Sequence, residues 1–229
     1  MRFIILANHR TGSTLLESYL NCNKNTPCKS ELFQTNINHP LSVPRYIEWR
    51  RFYRKSVGHY IKKYVPANGG FKLMYGQLAQ YPALQKYLET SGTLIIHLKR
   101  KNLLRRYVSL RLAQETNKWS SNTGKMKLHT IKLDPEKTPK SLEKSNMQVQ
   151  KNTIYQKTNP YLEVTYEELS DHPDETLARI WHSLNEKPVK LTTALEKQNP
   201  YPLQQIIINY QEIEAVLLGT EFEWMLTDV

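Results

Sequence analysis

An apolar run, Phe3-Ile4-Ile5-Leu6-Ala7, passes through the polar stretch Asn8–Gly12 straight into the helix-like Ser13-Thr14-Leu15-Leu16. A strand, a tight loop and a helix in immediate succession leave few folds open. Backbone N–H groups left unpaired in the helix's first turn converge on one point. The helix dipole favours negative charge there, and Gly12 lets the backbone approach an anion closely. The spacing therefore predicts a phosphate cradle. Against the triphosphate pattern G-x-x-x-x-G-K-[ST], Ala7 stands at the first glycine and Ser13 at the lysine. The loop lacks the triphosphate lysine, and Arg10, two residues before the glycine, is its cation.

Strand-like runs at Phe3–Ala7, Phe71–Tyr75, Thr93–Leu98 and Tyr161–Thr165 are each short and apolar or β-branched, with helix-like sequence between them. This alternation predicts an α/β fold of three layers: a mostly parallel sheet, helices on both faces and a P-loop-like anion-binding loop after the first strand. Ligands of such sheets bind beyond the C-terminal strand ends. Arg10–Leu16, Gly76-Gln77, Lys99–Asn102 and Tyr166-Glu167 all lie at such ends. With 229 residues, the chain is expected to form a single domain, 1–229, with a flexible insertion at about 118–151. That insertion is polar and lysine-rich, with turn signals at Ser120–Gly124 and prolines at Pro135 and Pro139. Near the end, Ile206–Leu218 has helical spacing, with Gly219 as its C-cap.

No stretch of about 18 apolar residues occurs, so no membrane-spanning helix is expected. Cys22 and Cys28, with five residues between them, form neither a zinc pattern nor a disulfide framework. Together with the lack of any N-x-[ST] sequon, this points to reduced thiols in a cytoplasm. A net charge of +11 calls for an anionic partner, and nucleic acid, an anionic membrane and a polyanionic small ligand all satisfy it.

The most basic stretch, Arg45–Tyr64, interleaves aromatics with Arg and Lys. It can be read as a single-stranded nucleic-acid surface or as an amphipathic helix in peripheral contact with an anionic membrane. The third reading is a helix packing Tyr46, Trp49, Phe52, Tyr53, Val57, Tyr60 and Ile61 on the sheet while its bases face water.

Arg10-Thr11-Gly12-Ser13-Thr14-Leu15 resembles the phosphosulfate-binding loop of sulfotransferases: Arg or Lys, Ser/Thr, Gly, Ser/Thr, Ser/Thr, Leu. A second segment agrees. Lys99-Arg100-Lys101-Asn102 after the Thr93–Leu98 strand, with Ser109 on the helix that follows, looks like the family's 3′-phosphate motif of an arginine and a later serine. The family's spacing is one residue shorter than Arg100 to Ser109, and Lys101 meets it. Arginine's bidentate fit to phosphate favours Arg100 over Lys101. Leu162–Leu169 resembles the family's strand followed by Tyr-Glu-Asp/Glu-Leu, in which the tyrosine, here Tyr166, lies beside the adenine; a core tyrosine at a strand end is the other reading. With Trp119 after the helix, the pattern looks closest to bacterial carbohydrate sulfotransferases of the nodulation-factor and trehalose type.

The resemblance implies transfer of a sulfuryl group from 3′-phosphoadenosine 5′-phosphosulfate (PAPS) to a hydroxyl of a carbohydrate, glycolipid or other small acceptor, with no metal and no nucleic-acid partner. Sulfuryl transfer needs in-line attack, a base for the hydroxyl proton and positive groups near the leaving oxygen. The resemblance puts the base at Glu31, in Ser30-Glu31-Leu32-Phe33. Glu17, just after Leu16, reads as a surface carboxylate of the first helix. His9, His59 and His97 are the competing bases, with His97 inside a strand. Arg10 and Lys72 are the candidates for charge stabilisation. A lysine inside the alternating strand Phe71–Tyr75 reaches an anion or pairs with a carboxylate. The alternatives to this activity are a P-loop-type nucleotide or sugar kinase, disfavoured by the missing lysine, and a basic nucleic-acid-binding protein.

Overall fold

The structure, a computed structural model, describes residues 1–34, 56–119, 128–191 and 200–227. The chain packs as two compact units, Met1–Lys99 with Asn152–Thr193, and Arg100–Lys151 with Ala194–Val229.

The first unit is built on a five-stranded sheet, β1 (Phe3–Ala7), β2 (Cys28–Glu31), β3 (Gly70–Met74), β4 (Leu94–Lys99) and β5 (Tyr161–Thr165), in the order β2-β3-β1-β4-β5. Every pairing is parallel. The expected α/β architecture is therefore present, with one strand more than the apolar runs indicated: β2 reads Cys-Lys-Ser-Glu, an edge strand too polar to stand out. Its helices are α1 (Ser13–Leu20), α2 (Val57–Tyr64), α3 (Tyr75–Gln80) and α4 (Pro82–Thr90), then, after two helices of the other unit, α7 (Tyr166–Asp171) and α8 (Pro173–Ser183). Central β1 is fully buried, as a strand covered on both faces must be. On one face Phe3, Ile5 and Ala7 join Leu16 and Leu20 of α1, Leu169 of α7 and Leu177, Ile180 and Trp181 of α8. On the other, Phe71 meets Phe33 at 5.8 Å between ring centroids, and Phe33 meets Tyr60 of α2 at 5.6 Å. Opposite Phe3, Gly70 has no room for a side chain: a Cβ there would lie 2.2 Å from the Phe3 ring.

The second unit is helical: α5 (Leu103–Thr116), α6 (Lys137–Asn152), α9 (Leu203–Ile206) and α10 (Tyr210–Leu217). Its core joins Leu104, Val108 and Leu112 of α5 to Leu142, Ile206, Ile213, Leu217 and Phe222. Ile206–Leu218 is not one helix, because Ile207 pairs with Ile131 in a parallel bridge and splits it. Gly219 does end α10 with a left-handed φ of 73°. The second half of the segment read as a flexible insertion is the sixteen-residue α6, and Pro139 falls in its first turn, where proline is tolerated; residues 120–127 lie outside the described ones. Of the basic segment, residues 45–55 also lie outside. In α2 the pattern is a packed helix: Val57, Tyr60 and Ile61 are buried while Lys62 and Lys63 are exposed.

Candidate active site

The C-terminal end of β1 turns through Asn8–Gly12 into α1. Two residues there hold left-handed backbone: Arg10 (φ 66°), a strained value for a residue with a side chain, and Gly12 (φ 85°). The Thr11 hydroxyl, buried, donates to the Asn8 carbonyl at 2.8 Å and so holds the turn. Gly12 is the N-cap of α1 and no side chain caps the helix, so its first turn, Ser13, Thr14 and Leu15, presents its backbone donors outward. Gly12 is also required by its neighbour. The ring of Tyr166, first residue of α7 after β5, would lie 2.6 Å from a Cβ at position 12. Tyr166 thus packs on the loop, and a capping box between Thr165 and Glu168 fixes the turn that carries it.

Lys72 lies inside β3, 4% exposed, on the face that meets α1. Its ammonium donates to the Thr14 hydroxyl at 3.3 Å and pairs with Glu17 at 2.8 Å. Glu17 is therefore no surface carboxylate: it is half-buried, turned toward the sheet, and compensates a lysine whose burial would otherwise cost several kcal/mol. On the neighbouring strand Glu31 is in register with Lys72, after an irregularity between Lys29 and Glu31 that re-aims the strand end. Glu31 Oε2 accepts from Gln77 Nε2 at 2.9 Å. The first unit thus brings together the Asn8–Gly12 loop, Tyr166, Lys72 and Glu31, and adds Glu17 and Gln77, which sequence reading did not select. Glu17's proximity to the loop and Gln77's place at a strand end were the available signals.

Among the histidines, His97 is fully buried in β4 between the hydroxyls of Tyr75, at Nε2, and Tyr161, at Nδ1. Burial, helped by the charge of Lys99, pulls its pKa down to about 3. A ring held neutral and away from solvent is a core histidine, not a base for an incoming hydroxyl. Unfolding restores its ordinary pKa, so the unfolded chain binds a proton that the folded one refuses. Stability is expected to fall as pH drops from about 6.5 toward 3, by at most about 1.4 kcal/mol per unit from this group. Urea unfolding at pH 7 and pH 5 checks it, the loss shrinking in a His97→Gln variant. His59 lines a groove with Met1, Arg2 and Thr93 at the N-terminal strand ends, the edge opposite the loop. His9 is exposed beside the loop.

In the second unit, Arg100 is half-buried and Lys101 exposed; Asn102 caps α5 by accepting from Arg105 N at 2.8 Å. Ser109 lies buried on α5. The helix is not a solvated basic face: Arg105 donates to the Tyr201 carbonyl at 3.1 Å, and buried Arg106 donates to the Ser145 hydroxyl. Trp119 is exposed, its indole N–H donating to Asn117.

No protein-family model matches the chain, and no curated protein does. Solved structures do. The sulfotransferase domain from the curacin biosynthetic pathway superposes with a TM-score of 0.52 at 16% identity, over 90% of this chain and 81% of that one. A sulfotransferase from Alicyclobacillus acidocaldarius superposes with a TM-score of 0.51 at 13% identity, over 99% and 96%. At such identity the likeness concerns architecture alone: this chain has the α/β fold, a parallel sheet flanked by helices, that these sulfotransferases have.

Proposed function

We propose that the protein is a sulfotransferase that moves the sulfuryl group of 3′-phosphoadenosine 5′-phosphosulfate to a hydroxyl of a carbohydrate, glycolipid or other small acceptor. The observation that carries this reading is the uncapped start of α1 behind Gly12, with Lys72 at Thr14 and Glu31 in register with Lys72. An anion seat, a buried cation and a carboxylate at adjacent strand ends are what sulfuryl transfer to an alcohol requires. When bound, the donor supplies the sulfuryl group and a phosphate leaving group. The backbone of Gly12–Leu15 and the side chain of Arg10 hold the 5′-phosphosulfate end, with Thr11, Ser13 and Thr14 shaping the loop. Arg100 and Ser109 take the 3′-phosphate, and Tyr166 lies beside the adenine. Glu31 receives the hydroxyl proton, while Arg10 and Lys72 neutralise charge that builds on the leaving oxygen. A cytoplasmic setting, with Cys22 and Cys28 as free thiols, belongs to the same proposal.

Calorimetric titration with adenosine 3′,5′-bisphosphate, with ATP and AMP as controls, tests it. Tight binding of the bisphosphate alone is expected. Arg100→Ala should weaken it about 10- to 100-fold and Ser109→Ala about 2- to 10-fold, the range for charged and neutral hydrogen bonds. A preference for ATP overturns the proposal in favour of a kinase. Salt-sensitive DNA binding without any nucleotide response overturns it in favour of a nucleic-acid-binding protein.

A further inference from the structure

The geometry points to Gln77 as the residue that positions the Glu31 carboxylate, an inference that rests on the reading of Glu31 as the base. Gln77 is the third residue of α3, which starts where β3 ends. Its Oε1 accepts from Met74 N at 3.0 Å and its Nε2 donates to Glu31 Oε2 at 2.9 Å. The reverse amide orientation would set the NH₂ against a backbone N–H and the carbonyl against a carboxylate, so one orientation satisfies both contacts. The amide therefore ties Glu31, on the short irregular edge strand β2, to the first turn of a helix on the next strand. The bond commits Oε2 as an acceptor. Among the described residues Oε1 has no hydrogen-bond partner, and it is the oxygen left to take a proton.

The third position of a helix accepts Glu as readily as Gln in a cap of this kind. Gln77→Glu therefore keeps an acceptor for Met74 N but replaces the donor facing Glu31 by a second carboxylate. Two carboxylates at hydrogen-bonding distance cannot both ionise, and one is pushed to a higher pKa. The expected result is an acid limb of the kcat/KM profile displaced upward by about one pH unit or more, with bisphosphate affinity unchanged. Gln77→Met, close in shape and without hydrogen bonds, is expected to lower kcat about tenfold with the KM for donor unchanged. Bisphosphate titration of both variants serves as the check on folding. An unmoved acid limb in Gln77→Glu together with wild-type kcat in Gln77→Met overturns the role of Gln77, while loss of turnover in Glu31→Gln keeps the base reading standing. Normal turnover in Glu31→Gln is a different result: the base reading itself fails, and the role of Gln77 falls with it.

Discussion

Glu31→Gln is expected to lower turnover by about 10²–10⁴-fold and to leave affinity for adenosine 3′,5′-bisphosphate where it was. The substitution is nearly isosteric, and its amide carbonyl still accepts from Gln77 Nε2, so the edge strand keeps its tie to α3. What disappears is the carboxylate proposed to take the hydroxyl proton, on the residue in register with Lys72. Radiolabelled transfer assays over a range of pH, paired with calorimetry on the same preparation, separate the two effects. The acid limb of the wild-type profile should be absent from the variant. Should turnover persist, exposed His9 beside the loop becomes the base to mutate next.

Gly12→Ala is expected to abolish measurable bisphosphate binding and to cost about 2–5 kcal/mol of stability in urea unfolding. Two separate costs add here. A side chain at φ 85° carries a left-handed penalty of about 1–2 kcal/mol, and its Cβ would have to displace a tyrosine ring at 2.6 Å, an overpacking cost of about 1–3 kcal/mol. The double variant Gly12→Ala/Tyr166→Ala separates them: removing the ring should relieve the second cost and leave the first. If both variants are equally unstable, contact with Tyr166 is not what demands glycine. Loss of binding follows from the loop's geometry, because Gly12 orients the first turn of α1.

How much of this was legible beforehand depends on how local each signal is. The bounds of β1 and β5 agree with their apolar runs, and the loop's character followed from the glycine and the helix behind it. Strand β2 was invisible because edge position, not burial, holds it: Cys28 alone is buried among its four residues. Glu31 was therefore reached through resemblance rather than through any strand signal. Glu17 misled for a related reason. It sits next to Leu16 on a helix whose sheet-facing side looks apolar in sequence, and only the fold reveals that a strand lysine 55 residues later lies opposite. Gln77 and the Tyr75–His97–Tyr161 chain are tertiary hydrogen bonds between distant segments, which no periodicity encodes.

The strand order has a consequence for how the chain is made. β1 lies at the centre, and Phe3 pairs with Gly70 on one side and Leu94 on the other. At about 5–20 residues per second, a ribosome delivers those partners seconds after β1 itself. Throughout that interval Phe3–Ala7, five apolar residues without a charge or a proline, has neither neighbour to pair with. The strand that leads into the Asn8–Gly12 loop is thus an adhesive segment of the nascent chain, and slower translation prolongs its exposure while co-expressed chaperones shield it.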